Sequence, residues 1–259
     1  MVTCGLTHTG GPETTDGQEL GLHGRVSNLK AELESIIQPD LRNGKLDMSI
    51  TGIIRESKIF GPNLELRRTI SSRIGEAFVR VDDTVTNVGN SPAPLMILYH
   101  CNFGWPLVDE GTDIIWRGKC VSRGLDMDNE IFNSKFNYKK CQPPMDSHRG
   151  PGESCGFIDV KADSKGICRA GLVNKKMSLA LVMEYEKSQL PALCNWQHWG
   201  CGEYVCALEP GTNPPIGRAK ARQQKKLIML KPGQSKDFQL KISILTDKGE
   251  INRFCKTVG

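Results

Sequence analysis

Residues 46–100 read LDMSITGIIRESKIFGPNLELRRTISSRIGEAFVRVDDTVTNVGNSPAPLMILYH, and the period of this stretch decides the fold class. Leu46–Ser57 alternates in its first half and is rich in β-branched residues, and Leu64–Ile74 and Ala77–Val88 follow at similar spacing. A period of two sends successive side chains to opposite faces, as half-buried strands require. Asn87–Pro94 reads as a tight turn whose prolines limit pairing. The unbroken apolar run LMILYH, Leu95–His100, reads as a fully buried strand that ends in polar residues.

The same pattern returns further along the chain. FIDVKA, ICRAGLV, MSLALVMEY, EYVCALEP, KLIMLKPG and KDFQLKISILT all carry strand signals, and the C-terminal half reads as a β meander. Within it, KLIMLKPGQSKDFQLKISIL is the clearest hairpin, with KPGQS as its turn. Between about Asp109 and Gly156 the periodicity weakens and turn residues dominate, which predicts an insertion or long loops acting as a lid, or disorder. SNLKAELESII, Ser27–Ile37, opens like a helix with Ser27 as cap, but an extended segment fits it equally. The expected fold class is all-β.

At 259 residues the chain is long enough for a substantial core, and a sandwich of this size is expected to be one domain spanning 1–259. No apolar run approaches the roughly 18 residues of a membrane span. The N-terminus has neither a basic nor an apolar leader region, so a soluble, cytoplasmic protein is expected. Ten scattered cysteines without an Asn-x-Ser/Thr acceptor fit free thiols in a reducing compartment. Cys194, Cys201 and Cys206 match no common zinc spacing, so no metal is expected. The net charge of +5 is mild and owes much to Gly217–Lys226, GRAKARQQKK. Without interleaved aromatics that stretch reads as a solvated loop or sheet rim, not a nucleic-acid site, and no membrane contact is expected.

Three polar clusters border strand ends. In GLHGRVSN, glycines beside His23 allow close backbone approach and leave His23 and Arg25 able to face one ligand; the bland alternative is an exposed turn. In LYHCNFGWPL a buried strand runs directly into His100, Asn102 and Trp105. Aromatics stack on the apolar face of a pyranose while amides bond its hydroxyls, so a sugar subsite stands against a structural histidine there. In NWQHWGCGEYVCALEPGTNPP, two tryptophans flank Gln197 and His198, and Glu209 leaves an apolar strand just before a Pro/Gly turn. A partly desolvated carboxylate suits a general base, and the alternative is an edge-strand glutamate pointing to water.

These segments, in this order, resemble the aldose 1-epimerase (galactose mutarotase) superfamily, and within it the aldose-epimerase-like branch. DDTVTNVGNSPAPLMILYHCNFG is similar to the family's turn, proline-rich link and apolar strand leading to a histidine; VCALEPGTNPP is similar to its late strand and turn; LHGRV is similar to its early histidine-glycine element. The resemblance covers His23 to about Leu245 and implies a galactose-mutarotase-like β-sandwich with an open sugar-binding cleft. It implies His100 as general acid, Glu209 as general base and His23 as a substrate ligand. Arg25, Asn102, Trp105, Gln197 and His198 would hold the sugar, and no metal or organic cofactor would be needed. HCNFG departs from the commoner histidine-x-aromatic-asparagine-leucine form, and the family's middle aspartate has no clear counterpart, although Asp126 and Asp128 stand in the loop-like stretch. Relatives carry further strands before a segment like VTCGLTHTGG, so the chain is expected to lack part of the sandwich and one wall of the cleft, leaving a sheet edge open to homodimerisation. The implied activity is anomer interconversion of an aldose or related sugar, which Arg25 would extend to acidic or phosphorylated sugars. The rival is a carbohydrate-binding or sensing protein without turnover, and a lyase or hydrolase on the same fold is a third reading.

Overall fold

The structure is a computed structural model and describes residues 1–259. In chain order the strands are β1 (Val2–Leu6), β2 (Glu13–Thr15), β3 (Gln18–Leu20), β4 (Glu32–Ile37), β5 (Asp47–Ser57), β6 (Asn63–Arg73), β7 (Phe78–Asn87), β8 (Ala93–Phe103) and β9 (Asp113–Trp116). They continue as β10 (Gly118–Ser122), β11 (Ser154–Val160), β12 (Ile167–Asn174), β13 (Leu179–Glu186), β14 (Ala192–His198), β15 (Val205–Gly211), β16 (Ile228–Leu230) and β17 (Ser235–Leu245). Three short helices complete the fold: α1 (Asp126–Ile131), α2 (Arg218–Gln223) and α3 (Lys248–Val258). The fold class is all-β, as the alternation of residues 46–100 requires. No helix is long and apolar enough to cross a membrane.

The chain divides into two compact units. One comprises Met1, His100–Pro210 and Ile242–Gly259; the other comprises Val2–Tyr99 and Gly211–Lys241. In the unit containing Val2–Tyr99, strands β4-β5-β6-β7-β17 run side by side. Their antiparallel register sets Ile50 against Ile70 and Ile70 against Val81, an apolar row across three strands. Leu64, Leu66 and Val85 on this ladder are fully buried. Residues Ala93–Tyr99 of β8 are buried throughout, as the LMILY run predicts. A charge inside such a core must be paired. Asp83 is paired twice, accepting bidentate hydrogen bonds from Arg68 at 2.7 and 2.6 Å and the Tyr99 hydroxyl at 2.7 Å.

Two expectations change in this unit. KLIMLKPGQSKDFQLKISIL is not a hairpin: β16 pairs with β8, Ile228 opposite Leu95, while β17 lies next to β7. The KPGQS turn is instead stapled to Asn87, whose N–H donates to Gln234 O at 3.0 Å and whose carbonyl accepts from Gly233 N at 2.8 Å. A three-residue strand cannot enforce a hairpin against these bonds, and local turn chemistry does not reveal a distant partner. Gly217–Lys226 is not simply a solvated loop: it forms α2, Arg218 is buried, and Arg222 makes a bidentate pair with Asp16 at 2.8 and 2.6 Å. Of the two readings of Ser27–Ile37, the extended one prevails, as a 3-10 turn at Val26–Asn28 followed by β4.

In the unit containing His100–Pro210, one row of strands is β8-β15-β14-β11-β10 and another is β17-β13-β12-β9. The stretch from Asp109 to Gly156 is more ordered than its sequence suggests, since it forms β9, β10, α1 and the start of β11. DIIW and GKCVS are too short to show a clear period, and Arg117 breaks them apart. α3 was not anticipated. Its Asp247 cap accepts a hydrogen bond from Glu250 N at 2.9 Å, and Ile251, Phe254 and Val258 pack on Val173, Ala180 and Val182 of β12 and β13. That i, i+3, i+7 spacing is a one-face helical stripe.

Candidate active site

β8 and β15 bring together the two residues that the sequence singled out for acid and base chemistry. Period two places His100 and Asn102 on one face of β8, and Glu209 lies on β15 with only 2% of its side chain exposed. His100 Nε2 stands 3.0 Å from Glu209 Oε1, and His100 Nδ1 stands 2.6 Å from Asn102 Oδ1. Both ring nitrogens thus face oxygen acceptors, and only the imidazolium form donates to both. Burial of the ring pushes its pKa down, but Glu209, Asn102 and the charge of Glu153 outweigh that, and the balance lies above the ordinary histidine value of 6.5.

The His100–Glu209 contact is an ion pair whose carboxylate is buried. A buried carboxylate is costly unless it is paired, and the imidazolium offsets that cost. Beside it, on β14, the buried Cys194 thiol contacts Cys155 Sγ at 2.9 Å. Cys155, then burial, then Glu209 hold the Cys194 thiol far above the usual range, so it is a neutral neighbour of the carboxylate.

β14 also supplies the aromatic side of the site. Cys155 of β11 stands opposite Trp196 in the antiparallel register. Trp196 is half-buried and meets His100 edge-on, with ring centroids 5.9 Å apart. Its indole N–H donates to Glu153 Oε2, and Glu153 Oε1 accepts from Arg123 Nη1 at 2.6 Å. Arg123 in turn holds the fully buried Asp128 through Nε and Nη2, both at 2.9 Å. Asp128 also accepts from Leu125 N at 3.0 Å and Cys155 N at 2.8 Å, which ties α1 to β11. Asp128 is therefore a clamp with no face left for a ligand, whereas Asp126 is exposed. Glu153 is the site residue that sequence reasoning missed, and Trp196 was noted only as one of the two tryptophans beside Gln197 and His198. The signal for Trp196 was the placement of NWQH inside a strand, two residues after Cys194; Glu153 sits in the CQPPMDSHRGPGES stretch, whose turn chemistry gave no hint of it.

The remaining candidates are placed as follows. His198 ends β14 and rests against Trp196 at 5.7 Å and His148 at 6.1 Å; its Nε2 donates to Gly150 O at 3.0 Å and its Nδ1 accepts from Gly200 N at 3.3 Å. Both nitrogens are occupied, so it supports the aromatic wall. Gln197 is buried and turned away, its amide donating to Tyr138 O at 2.9 Å and Asn195 Oδ1 at 2.7 Å, because period two sends it to the face opposite Trp196. Trp105 lies beyond the end of β8 with 82% of its surface exposed. His23 and Arg25 belong to the other unit. There His23 has φ 56 and its Nδ1 accepts from Gly10 N at 3.2 Å. Gly24, at φ +78, has a backbone so close that a Cβ would lie 2.4 Å from Gly5 O, and Arg25 is exposed. No group of three or more His, Cys, Asp or Glu is arranged to hold a metal ion.

The strand architecture is that of galactose mutarotase-like proteins. A crystal structure of a candidate aldose 1-epimerase from Klebsiella pneumoniae superposes with a TM-score of 0.88 at 26% identity, over 99% of this chain and 65% of that one. A galactose mutarotase-like protein from Clostridium acetobutylicum gives 0.62 at 14% identity, over 94% and 78%. An aldose epimerase homologue from C. elegans gives 0.57 at 10%, over 94% and 81%. The chain thus spans about two-thirds of the Klebsiella protein's length. Residues 1–244 match the family described as Domain of unknown function (DUF4432), and the chain belongs to that family. No curated protein matches it.

Proposed function

We propose that this protein is a carbohydrate isomerase that interconverts the α and β anomers of an aldose. The observation that carries the reading is the His100–Glu209 pair: a histidine whose neighbours favour its protonated form, 3.0 Å from a buried carboxylate oxygen. Anomerisation needs one base to remove the proton from O1 and one acid to protonate O5. Both oxygens are bonded to the same carbon, so the acid and base must stand within a few ångströms of each other. Glu209 Oε1 takes the O1 proton, His100 donates from Nε2 to the ring oxygen, and the C1–O5 bond opens. The C1–C2 bond then rotates, and the ring closes from the other face as the protons return. Positioned acid and base each contribute roughly 10²- to 10⁴-fold.

In this reading Asn102 orients the imidazole, and Trp196 offers a surface for the apolar face of the sugar. The ten free cysteines, seven of them buried, fit a reducing cytoplasm and a role in carbohydrate metabolism. Homodimerisation through an open sheet edge remains part of the proposal, and light scattering at micromolar concentration tests it, a monomer counting against it.

The test of activity is anomeric-proton exchange NMR with a panel of aldoses, deoxy sugars and uronic acids. Exchange faster than buffer, abolished in both Glu209→Gln and His100→Asn, is the expected result. Sugar binding without accelerated exchange would replace the isomerase with the sugar-binding reading.

A further inference from the structure

The charges around the His100–Glu209 pair point to the kind of sugar it accepts. Glu209, Glu153 and Asp128 are three carboxylates, set against one guanidinium, Arg123, and one imidazole, His100. Arg123 spends three of its five N–H donors, and its charge, on these carboxylates: Nε and Nη2 meet Asp128 and Nη1 meets Glu153. Even with His100 protonated, the cluster carries one net negative charge. Glu153 is the member that reaches solvent, with 35% of its side chain exposed, and it acts on His100 both by charge and by holding Trp196 against the imidazole.

We infer that Glu153 is a specificity residue that makes this site take uncharged aldoses and reject sugar acids and sugar phosphates. The inference rests on the sugar-isomerase reading and narrows its substrate class. It also parts from the anionic ligands that Arg25 suggests in the sequence. A carboxylate carried on a sugar bound over Trp196 meets the Glu153 charge across a half-wet space, where one like-charge contact is worth about a tenfold loss in affinity or rate.

The experiment compares glucose with glucuronate and galactose with galacturonate in the anomer-exchange assay, at low salt and at about 0.5 M salt, where the screening length falls to a few ångströms. Wild type is expected to favour each neutral sugar about tenfold over its uronate. High salt and Glu153→Gln should each shrink that ratio towards one, while Glu153→Asp, which keeps the charge, should retain it. Should Glu153→Gln fail to fold, the salt series and Glu153→Asp still decide the matter. Uronates processed as well as neutral sugars, or a ratio unmoved by both salt and Glu153→Gln, would overturn the inference. If no sugar is turned over, the same ratio is read from binding, through the indole N–H signal of Trp196 assigned with Trp196→Phe. A tenfold preference in binding alone then upholds the charge selection while the isomerase reading falls; binding of no sugar sinks both.

Discussion

Replacing Asp128 with asparagine exchanges one carboxylate oxygen for an NH2 group and removes the charge on which the wall of the site is built. Asp128 is fully buried and accepts four hydrogen bonds, two from Arg123 at 2.9 Å, one from Leu125 N at 3.0 Å and one from Cys155 N at 2.8 Å. All four partners are donors, so the amide NH2 of asparagine must turn a donor toward a donor wherever it points. Breaking a buried ion pair from one side costs about 3–5 kcal/mol. Arg123 is 25% exposed and keeps Glu153, which screens part of the loss and places the expectation near the lower end, about 3 kcal/mol. For a chain of this size that corresponds to a fall in Tm of roughly 6–12 °C. Urea denaturation and calorimetry of wild type and Asp128→Asn measure it directly. A loss below about 1 kcal/mol would refute the clamp, because a cost that small belongs to surface pairs.

Three further outcomes follow from the same geometry. Because the surroundings raise the pKa of His100 above 6.5, its charged form persists to higher pH than that of a free histidine, and the alkaline limb of turnover should lie above 6.5. The stability it contributes has the same sign: fully present below the unfolded value near 6.5, it is lost as pH rises through the higher folded value, and a pH series of urea midpoints against His100→Asn detects this. Asn102→Leu removes one of the groups that raise the pKa, so the alkaline limb of the pH–rate profile should move to lower pH; an unmoved limb speaks against the orienting role. In α3, Phe254→Ala should cost about 3–5 kcal/mol as a core truncation, while Asp247→Ala should cost only about 1 kcal/mol as a lost cap. Equal losses in the two urea titrations would mean that α3 does not pack on β12 and β13 as described.

How much of this was legible in the sequence depends on the range of the interaction. β5, β6 and β7 appear within a residue of their alternating runs, since burial on one face leaves its period in the residues themselves, and β8 extends the apolar run Leu95–His100 at both ends. The proximity of His100 and Glu209 was anticipated too, because each terminates or leaves an apolar strand, an unusual place for a titratable group, and the structure sets them 3.0 Å apart. What escaped was set by partners far along the chain. The KPGQS turn looks like a hairpin until Asn87 claims its backbone. Gln197 and Trp196 are neighbours in one polar cluster, yet strand parity turns one inward and the other toward His100, and the parity is invisible until NWQH is known to be a strand. Glu153 has no local signature at all; its meaning comes from Arg123 and Trp196, 30 and 43 residues away.

The central claim is that His100 and Glu209 act as one acid–base unit, and a double-variant cycle tests it most directly. Anomer-exchange rates of the preferred aldose are compared for wild type, His100→Asn, Glu209→Gln and the double variant. Groups that act together are not additive, so each single variant should lose nearly all of the acceleration and the double variant little more. Two independent losses that multiply in the double variant, or a single variant that keeps most of the wild-type rate, would contradict the account.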